Sequence, residues 1–220
     1  MGFPNVDMFL VKAFISGFQK LQSDPEFAIN DLFEDLEQDD RAQIITYLNR
    51  LNVTKDLRDR DEKKKYLYIF PDFPLLGCPI PQIAISLGQE DTAEKFLGDA
   101  IGDNPEPIMK GATQIGWTIE KGYLAAASWN VDVVCATKEE AIWLSRCCQR
   151  FICEALNDLA GIGVIEVNIT LADMRMEAQQ LMQPGEMFNR TLRVTAKVCN
   201  TWKKLLPVSF YAEGINTALT

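Results

Sequence analysis

The sequence predicts an α+β fold: a mostly antiparallel β-sheet with a long helix packed on one face, preceded by an N-terminal helical segment. Three observations carry the prediction. Residues 131–135, 164–171 and 189–201 alternate their side chains with the period of two expected of strands. Between the first two, Ala141, Leu144, Cys148, Phe151, Ile152, Ala155 and Leu159 fall at three- and four-residue steps, the apolar stripe of a helix lying on a core. The first fifty residues show the same helical spacing in three shorter runs.

The first of those runs carries Phe9, Leu10, Phe14, Ile15, Phe18 and Leu21. Ser23-Asp24-Pro25 stops it and starts a second, with Asp24 as N-cap and proline at the first helical position. Ile29, Leu32, Phe33 and Leu36 mark that second helix. Asp40 with Gln43 resembles a capping box, leading into a third helix through Ile44, Tyr47, Leu48 and Leu51. The segment is acidic outside (Asp31, Glu34, Asp35, Glu37, Asp39, Asp40), which reads as a solvated face or as a docking face for a basic partner.

The mixed run KDLRDRDEKKK has no apolar anchor and reads as a connector. The division of the chain is therefore residues 1–54 helical, 55–65 connector and 66–220 sheet domain. In the last of these, 66–70 reads as a short strand and 81–87 as another, with Ile83, Ile85 and Leu87 on one face. Residues 88–111 form a long polar excursion. Residues 113–120 and 123–135 read as two strands joined at Lys121-Gly122, a hairpin signal. Thr137 with Glu140 is a capping box opening the long helix, and Gly161 and Gly163 end it. In the strand after it, Ile165, Val167, Ile169 and Leu171 share a face. In the last strand, Thr191, Arg193, Thr195 and Lys197 lie opposite Leu192, Val194, Ala196 and Val198.

Composition narrows the function. The chain has 220 residues, 47% of them apolar, and a formal net charge of −9. That balance argues for a globular chain and against a basic nucleic-acid-binding surface, while an acidic wall still lets DNA pass without sticking. No run approaches the roughly 18 unbroken apolar residues of a membrane helix, and the start lacks the pattern of a signal peptide, so cytosolic synthesis is expected. Six cysteines show no C-x-x-C pair and there is no histidine. Zinc spacing is therefore missing, and the thiols read as small buried apolar groups. Nucleotide loops and a G-x-S-x-G nucleophile turn are absent as well, and a serine or cysteine nucleophile would have no imidazole to activate it. The sequence thus names no catalytic residue, no cofactor and no metal. Its candidate functional residues are acids in two polar stretches: Glu90, Asp91, Glu94, Asp99, Asp103 and Glu106 in the first, Asp173, Glu177 and Glu186 in the second. Asp99 and Asp103, in GDAIGDNPEP, do not match a calcium-binding loop, and contact loops are the better reading.

The order of elements resembles the tail-terminator, or neck, proteins of long-tailed bacteriophages. The resemblance is carried by CPIPQIAISLGQED, the GDAIGDN turn, EPIMKG leading into a hairpin, WNVDVVCATKEEAIWLSRCCQRFICEAL, and the closing MFNRTLRVTAKV. It covers residues 66 to 201 and leaves the N-terminal helices unassigned. It implies a sheet with the long helix on one side and a homohexameric ring. Such a ring caps the tail tube, ends its polymerisation and offers the surface on which the head docks. The partners so implied are the tail tube protein and a head-closure or connector protein, with DNA passing through the lumen unbound and no membrane contact. The expected location is the virion, after assembly in the host cytoplasm. The acidic stretches are then expected at the lumen or the subunit interfaces. Rival readings are a head-closure adaptor or tail-completion protein, a carboxylate- or cysteine-dependent soluble enzyme, and an acidic DNA mimic.

Overall fold

The computed structural model describes residues 4–56, 64–74, 79–94, 106–110, 112–173 and 187–207. Helices α1 (Val6–Ser23), α2 (Pro25–Leu32) and α3 (Gln38–Asn49) come first, then strands β1 (Leu51–Thr54), β2 (Lys65–Phe70) and β3 (Gln82–Glu94). Strands β4 (Glu106–Lys110) and β5 (Thr113–Cys135), helices α4 (Lys138–Glu154) and α5 (Leu156–Gly161), and strands β6 (Val164–Asp173) and β7 (Phe188–Pro207) complete the order. The fold is α+β, as the sequence predicts.

Local chemistry accounts for the helix starts. Asn5 caps α1 by accepting the Met8 N–H at 3.0 Å, and Thr137 caps α4 by accepting that of Glu140 at 3.2 Å. Pro25 opens α2 after Asp24, whose side chain makes no capping bond. The capping box expected at Asp40 lies inside helix α3, which begins two residues earlier. Asp39 and Asp40 occupy its first turn, where negative charge suits the helix dipole. The long helix breaks into α4 and α5 at Ala155, and Gly163 takes φ 89° to turn the chain into β6.

The sheet runs β1-β2-β3-β5-β7-β6, with β4 added to β5. β1 pairs β2 and β2 pairs β3 in parallel, and the remaining pairings are antiparallel. The hairpin expected at Lys121-Gly122 is absent: β5 is one strand of 23 residues, about 75 Å long. Register explains why. Every position from Gly116 to Cys135 is matched by one between Pro207 and Phe188 on β7, so a turn at Gly122 would break a continuous ladder. The polar excursion expected over 88–111 is also shorter, because β3 continues to Glu94 and β4 begins at Glu106. Polarity misleads there because edge pairing, not burial, makes these residues strands.

Helices cover one face. A single core joins Phe14, Phe18, Ile29 and Ile44 of the N-terminal helices to Ile83, Val131, Val133, Leu192 and Val194 of the sheet and Leu144, Cys148 and Ile152 of α4. The residues expected as a separate helical segment thus share the sheet's core, and the expected connector joins two strands paired to each other. Burial of each large side chain contributes about 1.5–3 kcal/mol, so these helices are integral to stability. The opposite face carries a small apolar cluster, Tyr68, Phe70 and Ala84, and is otherwise rich in Ser, Thr, Asn and Gln.

Of the four register shifts among the described strands, two decide the facing of residues singled out in the sequence. Gly88 is extra between Leu87↔Trp129 and Gln89↔Ser128. A β-carbon there would meet the Ser128 Oγ at 3.1 Å. On β6, Glu166 and Val167 together oppose Ala196, and Glu166 takes φ 53°. This corrects the shared face expected for Ile165, Val167, Ile169 and Leu171. Val167 and Ile169 pack on the core, while Ile165 points away from it and Leu171 lies beyond the helix cover.

Candidate functional site

The nine acids singled out in the sequence do not come together. Glu90 lies opposite Ala127 on the helix-bearing face, and Asp91 lies opposite Ala126 on the other. The pleat therefore separates two neighbours that the sequence groups in one loop. Asn200 Nδ2 donates to Glu90 Oε1 at 3.1 Å, and Gln89 donates to the Asp91 carboxylate. The Glu94 backbone pairs with Leu124 and that of Asp173 with Arg190, at opposite margins of the sheet. Glu106 opens β4, its carbonyl accepting the Thr118 hydroxyl at 3.3 Å. Glu90, Asp91, Glu94, Glu106 and Asp173 are thus strand residues rather than loop residues. Asp99, Asp103, Glu177 and Glu186 lie outside the described residues.

Glu90 borders a cleft of about 300 Å³ at the start of α1, lined by Asn5, Asp7, Leu87, Trp129, Val198 and Asn200 among others. Asp7 was not singled out in the sequence, where it reads as an ordinary first-turn acid of α1. The fold gives it a different environment. Burial pushes its carboxyl above the usual range, partly offset by a hydrogen bond from Trp129, and Oδ1 is enclosed with no hydrogen-bond partner among the described residues.

On the helix-free face a shallow trough of about 330 Å³ is floored by Ala126, Ser128 and Thr195 and flanked by Asp91, Arg193 and Lys197. Lys197 pairs with Glu166 at 2.8 Å. Ser128 is 5% exposed, and its hydroxyl has no partner among the described residues. Further along this face, Thr191 donates to Asp132, whose carboxyl is pushed up by burial. The charges on this face are nearly balanced, with small hydroxyl and amide groups between them.

The acidic side of the N-terminal helices already has cationic partners. Arg150 reaches Asp31 at 2.7 Å and Glu154 at 2.8 Å, and Arg146 reaches Asp35 at 3.4 Å. Of the acids expected to meet a basic partner, Asp31 and Asp35 are engaged by α4 of the same chain. A further tie joins α4 to β2, where Lys65 Nζ lies 2.5 Å from Glu140 and 4.7 Å from the centre of the Tyr47 ring.

Reactive groups are sparse among the described residues. Cys135, Cys147 and Cys148 are buried, and burial pushes each thiol up, Cys147 to about 12. Thiolate is correspondingly scarce at these three positions. Among the described residues no group of three or more Cys, Asp or Glu side chains is arranged to hold a metal ion. No described helix is long and apolar enough to cross a membrane. Comparison with protein-family models finds no match, and none of the curated proteins is significantly similar to the chain.

Proposed function

We propose that the chain is a structural protein of a bacteriophage neck, whose copies form a ring that caps the tail tube, ends its polymerisation and offers a docking surface for the head. The observation that supports this reading best is the one-sidedness of the sheet. Helices cover the apolar face, whereas the other, spanned by strands up to about 75 Å long, presents Asn130, Thr191 and Thr195 with balanced charges. A wall of small hydroxyl and amide groups suits a channel through which a polyanion slides, because it offers neither a basic track nor an apolar surface. In this reading the helix-free face, rather than acidic loops, lines the lumen. The tail tube protein and a head-closure or connector protein meet the two ends of the ring, and the protein resides in the virion.

The test is light scattering coupled to size-exclusion chromatography, with negative-stain imaging of the protein alone and mixed with tail tubes. Six-membered rings, free or on tube ends, support the reading. A monomer that neither forms rings nor binds tube ends overturns it.

A further inference from the structure

Beyond Leu124, β5 leaves β3 behind and continues between β4 and the end of β7, forming a three-stranded arm. The core positions of β5 run from Ala127 to Cys135, so the helix layer stops where the arm begins. α4, at 17 residues, is about 25 Å long, roughly a third of the strand it lies on. The arm's sequence departs from that of the chain as a whole. Its strands carry Lys110, Lys121, Lys203 and Lys204 against Glu106 and Glu120, a surplus of two positive charges on a chain of net charge −9. Its tip exposes Met109 and Ile115, 55% and 51% accessible, beside Lys110. Lys110 makes no ion pair among the described residues.

The chain also carries a surface of opposite character. The cleft at the start of α1 combines Asp7 and Glu90 with an apolar floor from Leu87, Trp129 and Val198, and the enclosed Asp7 Oδ1 has no hydrogen-bond partner among the described residues. A long basic side chain flanked by apolar ones fits such a cleft, its stem on the floor and its ammonium between the carboxylates.

We propose that the tip of the β4–β5 arm of one copy docks in the α1 cleft of a second copy, with Lys110 placed between Asp7 and Glu90. The two surfaces differ, so the contact is head-to-tail and repeats from copy to copy until the ring closes. The inference rests on the ring reading and names the surfaces that would join its subunits. Charge complementarity selects a second copy as the occupant: a strongly acidic chain repels itself unless its basic element meets an acidic one.

The experiment is a concentration series by light scattering on wild type, Lys110→Glu, Glu90→Lys and an equal mixture of the two variants, each checked for folding by circular dichroism. The wild type is expected to associate. Each variant alone should associate about tenfold or more weakly, and the mixture should recover, because the reversed arm fits the reversed cleft. If Glu90→Lys does not fold, Asp7→Asn takes its place, with weakened association expected. Wild-type rings with undiminished association of Lys110→Glu, or a mixture that stays apart, overturn the arm contact and leave the ring standing. A wild type that is monomeric throughout also overturns the arm contact, and the ring reading then stands or falls on tail tubes.

Discussion

Phe151 of α4 rests on the bare backbone of Gly17 in α1: a β-carbon at Gly17 would stand 2.5 Å from the Phe151 Cγ. The same ring meets Phe18 edge-on with centroids 5.0 Å apart. This close crossing fixes the N-terminal helices to the helix on the sheet, and it makes their union measurable.

Gly17→Ala sets two effects against each other. Alanine favours the helix by about 1 kcal/mol, whereas overpacking a well-filled contact costs about 1–3 kcal/mol. The clash is with a ring held on several sides, so a net loss of about 1 kcal/mol is expected, read as a lower urea midpoint. Adding Phe151→Leu should recover part of it, since the residues touch. An Ala variant more stable than wild type would show that α1 and α4 have room to separate.

Asp132 lies opposite Thr191 on the neighbouring strand and accepts its hydroxyl, yet burial holds its carboxyl above the ordinary range. A group raised on folding binds its proton more tightly in the folded chain. Its contribution is fully present below the unfolded value, about pH 4, and is lost as pH rises through the folded value. Asp132→Asn should therefore be at least as stable as wild type at neutral pH and lose that advantage towards about pH 4. Denaturant midpoints across the acid range decide it; a deficit that is the same at every pH would contradict the assignment.

Thiol reactivity follows burial. In a Cys78→Ser background, Ellman's reagent should modify the exposed Cys153 first and the half-buried Cys199 later. Cys135, Cys147 and Cys148 should react only after denaturation. Cys153→Ser should abolish the fast phase. The raised Cys147 value also predicts stability falling as pH rises from the ordinary thiol range, about 8.5, towards about 12. Rapid native labelling of more than two thiols would refute this burial pattern.

Glu166 holds a left-handed backbone at the bulge of β6 and an exposed ion pair with Lys197. Glycine relieves about 1 kcal/mol of backbone cost and forfeits about 0–1 kcal/mol of ion pair, so Glu166→Gly should be close to neutral. Glu166→Val should lose about 1–2 kcal/mol, because a β-branched side chain is poorly accommodated there. Urea midpoints ranking valine above glycine would show that the bulge has slid to another residue.

The sequence by itself determined the fold class, three N-terminal helices, the Thr137 cap, the stripe on α4 and the alternation of β7. These are local signals: a capping oxygen three residues from its N–H, or a period of 3.6 against 2, is written in neighbouring residues. Tertiary structure decided the rest. Pairing with β7 kept β5 straight through Lys121-Gly122, and pairing with β5 drew Glu90, Asp91 and Glu94 into β3. The pleat of β3 then put Glu90 and Asp91 on opposite faces, the bulge at Gly88 chose which of them joined the helix-bearing side, and the packing of α1 enclosed Asp7 beside Trp129. Register and enclosure depend on partners far away in the chain, so a list of acids in sequence order could not reveal which of them share a surface.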